Sequence, residues 1–206
     1  MRIISGTYKG RRLKTVPGLE VRPTSDRLRE TLFNILTPQI RGSRFLDLCA
    51  GSGAIGIEAA SRGAIEVVFV DKSRQSCAIL QENLNMIGGL DNARIIQRDA
   101  LAAIKQLENA LPRQTEAQEN ADIERNGKFD IVYLDPPYDS GIYADILKQL
   151  ANGQLIDEDS IIVVEHRTWT RLEPAYGELK AYRELKQGSS SLTFFQKVSE
   201  QEPAET

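Results

Sequence analysis

Hydrophobic positions fall into two rhythms along this chain, and the change comes near residue 45. Before it, RPTSDRLRETLFNIL places Leu28, Leu32, Ile35 and Leu36 on one face at helical spacing. Pro23 blocks an earlier start, Thr24 or Ser25 can cap, Asp26 suits the first turn, and Pro38 is expected to end the helix. After it, short apolar runs alternate with helical stretches. RFLDLC, EVVFVD, ARIIQRD, FDIVYLD and SIIVVEH read as buried strands, and AIGIEAASR, RQSCAILQENLNMI and GIYADILKQLA as helices between them. This alternation predicts a mostly parallel sheet covered on both faces. LKAYREL, a Gly-Ser turn and LTFFQKV predict an antiparallel hairpin at the sheet edge.

The ends and one interior stretch follow neither rhythm. RIIS, the turn GTYKG and RRLKTV predict a small N-terminal hairpin before Pro17-Gly18. Residues 106–128 are polar, acidic and aperiodic after the first few, and are expected to form a mobile surface loop. The tail after Val198 is expected to fray. The expected organisation is an extension over 1–22, one domain over 23–198 and a tail over 199–206.

With 206 residues, 41% hydrophobic and 27% charged, the chain suits one well-buried core. No apolar run approaches the ~18 residues of a membrane span. MRIISGTYKGRR lacks the apolar core of a secretory signal, so a cytoplasmic protein is expected. Two cysteines, Cys49 and Cys77, without a CxxC and with a single histidine, argue against a disulfide framework and a zinc site. Charge is uneven. Residues 1–30 carry eight basic side chains against three acids, a net +5, leaving −8 for the rest of a chain whose total is −3. Such a basic end either meets a polyanion or guards the edge of a small hairpin.

The chemistry sits where strands end. LDLCAGSGAIG carries Asp47, Gly51 and Gly53, glycines that let a ligand approach backbone at a strand's carboxyl end. Gly51 to Gly56 also read as G-x-G-x-x-G, so the glycines alone leave a dinucleotide open. Asp47 tips the balance, because a carboxylate there repels a pyrophosphate but can hold a cationic amino group. The next strand ends at Asp71, where an acid can take ribose hydroxyls, and the third at Asp99, which could accept from adenine. Three acids on three successive strands fit S-adenosylmethionine, with Ala50, Ser52, Lys72 and Ala100 beside them as cofactor-binding candidates.

Across the first strand's crevice stands Asp135-Pro136-Pro137-Tyr138. Each proline fixes φ and removes an N–H donor, and the residue before a proline is held extended. The segment therefore offers rigid acceptors to an exocyclic amino group, and Tyr138 can stack on its base. Cys49 and Cys77 are poorly placed as nucleophiles; Cys77 is expected in the core, and His166 in a capping or surface role.

These motifs resemble the RsmD family of bacterial 16S ribosomal RNA guanine-N2 methyltransferases. The resemblance runs from about Arg2 to Val198, through RIISGTYKGRRL, RPTSDRLRETLFNIL, FLDLCAGSGAIGIEAASRGA, Asp71 and LDPPY. It implies an α/β, Rossmann-like class I methyltransferase fold, with a seven-stranded mostly parallel sheet, an antiparallel C-terminal hairpin and a small N-terminal β-hairpin extension. It implies that Asp47, Gly51, Gly53, Asp71 and Asp99 bind cofactor and that Asp135 to Tyr138 meet the guanine. Arg2, Lys9, Arg11, Arg12, Arg22 and Arg27 then become candidates for RNA contact. The implied substrate is small-subunit ribosomal RNA or the assembling 30S subunit, taken by a monomer with no metal or membrane. DNA adenine-N6 methylation, and a non-catalytic RNA-binding assembly factor, remain the alternatives.

Overall fold

The computed structural model describes residues 1–16, 26–112, 127–137 and 141–198. The expectations for Arg22, Tyr138, the centre of the acidic segment and the tail lie outside the described residues. A first helix, α1 (Asp26–Ile40), is followed by β1 (Arg44–Leu48), α2 (Ala54–Ser61), β2 (Glu66–Asp71), α3 (Arg74–Met86) and β3 (Ala93–Gln97). Then come α4 (Ala100–Asn109), β4 (Ile131–Leu134), α5 (Tyr143–Asn152), β5 (Ile161–Arg167), β6 (Ala175–Tyr176), β7 (Leu179–Gln187) and β8 (Ser190–Lys197).

The strands form one sheet in the order β3-β2-β1-β4-β5-β8-β7-β6. β1 to β5 run parallel, and β8 pairs antiparallel with both β5 and β7. The seven expected strands are all present, and the two-residue β6 adds an edge beside β7. β1, β2, β4 and β5 are nearly continuous buried apolar runs, as a sheet covered on both faces requires. ARIIQRD departs from the buried strand expected of it: β3 lies at the sheet edge and buries only Ile96. One face packs against α4 and α5 through Ile104, Ile146, Leu147 and Leu150. The other packs against α1, α2, α3 and the N-terminal segment through Phe33, Phe45, Phe69 and Phe194.

Three elements differ from the sequence reading. α1 continues past Pro38 to Ile40, because a proline in the last turn removes only one intrahelical bond. α4 had no separate signal, and it begins where Asp99 accepts from the Ala102 amide at 2.9 Å. The N-terminal hairpin has one bridge, Arg2 opposite Arg12, in place of a long ladder. The Ile3, Gly10 and Leu13 amides still pair across the hairpin, while Ile4 and Ser5 turn to α2 and donate to the Glu58 carboxylate at 2.7 and 3.0 Å.

Candidate active site

β1 ends in a turn built from left-handed backbone. Cys49 (φ 65°), Gly51 (φ 56°) and Gly53 (φ 79°) swing the chain from the strand into α2. The two glycines differ in what confines them. A Cβ on Gly51 would meet nothing within 4 Å, so only its φ demands glycine. A Cβ on Gly53 would stand 2.1 Å from Leu80 Cδ1 in the core, so Gly53 packs the turn against α3 and does not line the cavity.

The turn opens onto a cavity of about 580 Å³ at the carboxyl ends of β1, β2, β3 and β4. The structure brings Asp47, Ala50, Gly51, Ser52, Asp71, Lys72, Asp99 and Ala100 to its wall, together with Asp135, Pro136 and Pro137. Met1, Thr15 and Val16 of the N-terminal segment complete it. The volume lies within the ordinary range for small-molecule sites.

Two backbone donors around the turn are engaged by carboxylates. The Gly51 amide donates to Asp71 at 2.8 Å and the Gly56 amide to Asp47 at 2.9 Å. A pyrophosphate needs such amides free at the helix N-terminus. Here carboxylates occupy two of them, Gly51 and Gly56, which weighs against a dinucleotide. Asp71 also accepts from the Ser73 amide at 2.8 Å. Asp99 remains exposed, with one oxygen used as the cap of α4.

Register explains how the acids converge. Asp47 pairs with Tyr133 across β1 and β4, and Leu134 with Val164 across β4 and β5. Asp135 therefore stands level with Glu165, and alternation puts Asp47, Tyr133, Asp135 and Glu165 on one face. Tyr133 Oη donates to the buried Glu165 carboxylate. Burial pushes the Asp47 carboxyl up to about 7, with Asp71 adding to the rise and the Gly56 amide opposing it. Asp135 is raised well above the usual carboxylate range by burial, then by Glu165 and Asp47, while Arg167 acts the other way. Burial, followed by the charges of Asp135, Asp71 and Asp47, pushes the Cys49 thiol up to about 12, so it stays a thiol at neutral pH.

Glu165, Tyr133 and Arg167 were missed by sequence reading, although an acid inside the apolar run SIIVVEH was the available signal. Glu58, alone in an apolar helix, was a second. His166 departs from its expected capping or surface role. It is buried, its Nε2 lies 2.8 Å from Thr193 Oγ1, and burial lowers its pKa. Cys77 is buried as expected.

Among the candidate RNA residues, Arg2, Lys9, Arg11, Arg12 and Arg27 are exposed. Arg11 donates to the Met86 carbonyl at 3.1 Å and stands 5.6 Å from the Tyr8 ring centre. Arg29 is different: it is fully buried and donates to the Arg2 carbonyl and to Asp26, so it adds nothing to the surface charge. Among the described residues, no cluster of three or more His, Cys, Asp or Glu could hold a metal, and no helix is long and apolar enough to cross a membrane.

Comparison with known proteins agrees with this geometry. Residues 1–196 match the family described as conserved hypothetical protein 95. The chain is 35% identical over 197 residues to YlbH of Bacillus subtilis, covering 96% of this chain and 99% of the relative. It is 31% identical over 193 residues to ribosomal RNA small subunit methyltransferase D of Haemophilus influenzae, covering 89% and 92%. The solved structure of yhhF from Escherichia coli superposes with a TM-score of 0.76 at 31% identity, covering 96% of this chain and 97% of that one. The sheet order, the acid-lined cavity and these matches together make the chain a member of the conserved hypothetical protein 95 family, that of the ribosomal RNA small subunit methyltransferases D.

Proposed function

We propose that this chain transfers a methyl group from S-adenosylmethionine to the exocyclic N2 amino group of a guanine in 16S ribosomal RNA. One observation carries the reading: Asp135 and the acids Asp47 and Asp71 line a single cavity, with Asp135 fixed ahead of two prolines. The fit to the cofactor rests on the donor set. The Gly51 and Gly56 amides are taken by carboxylates, which disfavours a phosphate and suits a ligand bearing an ammonium group and hydroxyls.

S-adenosylmethionine supplies an electrophilic methyl group on a sulfonium centre. Asp47 receives the ammonium end, Asp71 the ribose hydroxyls, and Asp99 the adenine amino group. Ala50, Gly51, Ser52, Lys72 and Ala100 contribute the surrounding walls, while Gly53 holds the turn in place from behind.

Asp135 accepts from the guanine amino group and turns its lone pair out of conjugation with the ring. Pro136 and Pro137 remove competing N–H donors and hold the acceptor still, so orientation supplies much of the rate. The raised pKa of Asp135 suits it to take the proton that the nitrogen sheds as its new bond to carbon forms. Tyr138 stacks on the guanine. The exposed Arg2, Lys9, Arg11, Arg12 and Arg27, with Arg22, hold the RNA backbone.

Ribosomal RNA as the substrate is supported by the name of the Haemophilus influenzae relative. The guanine N2 position is supported by the motif resemblance. The test is methylation of purified 16S RNA and of partly assembled small subunits, followed by nucleoside analysis. N2-methylguanine is the expected product, and N6-methyladenine in its place would refute the assignment.

A further inference from the structure

Trp169 is the chain's only tryptophan, and it is 70% exposed, more than any other large hydrophobic side chain among the described residues. A large ring left in water keeps a face available for stacking. It lies on the loop that leaves the carboxyl end of β5, the strand beside Asp135. The Arg167 guanidinium stands 5.5 Å from the ring centre.

This loop is held in shape. The Thr168 amide donates to the Ser189 carbonyl at 3.1 Å, and the Thr170 amide to the Arg167 carbonyl at 2.9 Å. Arg167 Nη1 donates to Ser189 Oγ at 3.2 Å. The indole is thus mounted on a turn braced against the β7–β8 connection. Arg167 and Arg171 flank it, and Glu173 is the only acid between Arg167 and β6.

Position ties the loop to the acceptor side of the cavity. Glu165 and Arg167 share a face of β5, and both act electrostatically on Asp135. The N-terminal basic segment meets the cavity from the other direction, where Lys14 is bound to Asn83 of α3. Asp135 shares the cavity wall with Met1, Thr15 and Val16 of that segment, and its strand pairs with β5.

We propose that the loop Arg167–Arg171 is an RNA-contact site, in which Trp169 stacks on an unpaired base beside the methylated guanine and Arg171 meets phosphate. An exposed indole flanked by arginines fits a single-stranded nucleic acid, whose bases stack on aromatic and guanidinium planes. The inference rests on the RNA-methylation reading and assigns residues that reading leaves unused.

Because Trp169 is the only indole, its fluorescence reports the contact directly. The full chain is titrated with 16S ribosomal RNA and with a guanine-containing hairpin-loop oligoribonucleotide. Steady-state kinetics are then measured for Trp169→Ala and Trp169→Phe, with S-adenosylmethionine affinity as the control for folding. Quenched emission is expected, with a KM for RNA about tenfold higher in W169A, largely restored in W169F, at unchanged kcat and cofactor affinity. RNA that binds without altering emission, with a wild-type KM in W169A, would overturn the inference and leave the methyltransferase reading intact. Emission that changes only with assembled subunits, with a wild-type KM for those subunits in W169A, would also overturn it. Should the wild-type chain methylate no RNA, the function falls, and the fluorescence titration still decides whether Trp169 meets RNA.

Discussion

The Tyr133 hydroxyl donates to Glu165 on the neighbouring strand, fixing a second buried carboxylate level with Asp135. That negative charge raises the pKa of Asp135 beyond what burial alone imposes. Glu165→Gln keeps an acceptor for Tyr133 and removes the charge, so ionised Asp135 becomes easier to form. The acid limb of the pH–rate profile is expected to move to lower pH in E165Q. A limb that stays in place would separate Asp135 ionisation from the rate.

Asp47 gives a second pH signature. Its carboxyl titrates at about 7 in the free protein, and an ammonium group bound against it stabilises the charged form. Cofactor binding below that pH must therefore expel a proton, and affinity should rise from pH 6 to pH 8 and then level off. Calorimetry in buffers of different ionisation enthalpy measures the proton directly. Asp47→Asn is expected to lose both the proton release and about 100-fold in affinity, the scale of a charge-assisted hydrogen bond.

The same group makes a claim on stability. A folded pKa above the unfolded value means that the folded state holds the extra proton. Stability of the free protein thus falls as pH rises from about 4 through about 7, by at most about 4 kcal/mol for this residue. Urea unfolding at pH 5 and pH 8 should show that slope in the wild type and a shallower one in D47N.

On the basic surface, Arg11→Ala with Arg12→Ala is expected to weaken RNA binding and to flatten its salt dependence. The slope should fall by about one unit for each phosphate no longer neutralised. Because Arg11 also donates to the Met86 carbonyl, the single Arg12→Ala change is the cleaner reading. Unaltered slopes in filter-binding titrations would mean that these arginines only protect an edge.

Legibility in the sequence followed the physics of each feature. Strands buried on both faces leave unbroken apolar runs, so β1, β2, β4 and β5 could be read directly. Acids at strand ends were equally visible, because Asp47, Asp71, Asp99 and Asp135 interrupt or close those runs. Side chains that matter through a neighbour were not. Glu165 gains its meaning from Tyr133 and Asp135 on another strand, and register cannot be read from one strand alone. α4 hid because its apolar positions shade into the acidic segment that follows. Arg29 counts as surface charge in the sequence, and only the fold reveals its burial beneath Arg2 and Asp26.

Glu58 yields the last prediction. It is fully buried in α2 and accepts from the Ile4 and Ser5 amides, and from Arg62 Nε at 2.8 Å. Glu58→Ala strands all three donors, so equilibrium unfolding should show a loss of about 3–5 kcal/mol. A loss under about 1 kcal/mol would mean that the N-terminal segment is held by its apolar residues alone.

That carboxylate also binds two tasks into one thermodynamic unit. The segment it anchors carries Arg11 and Arg12 on its outer side and presents Met1, Thr15 and Val16 to the cavity. A small molecule seated in the cavity would therefore bear on the strip of chain proposed to hold RNA. Binding free energies are reciprocal, so whatever tightening one ligand brings to the other must be returned in equal measure.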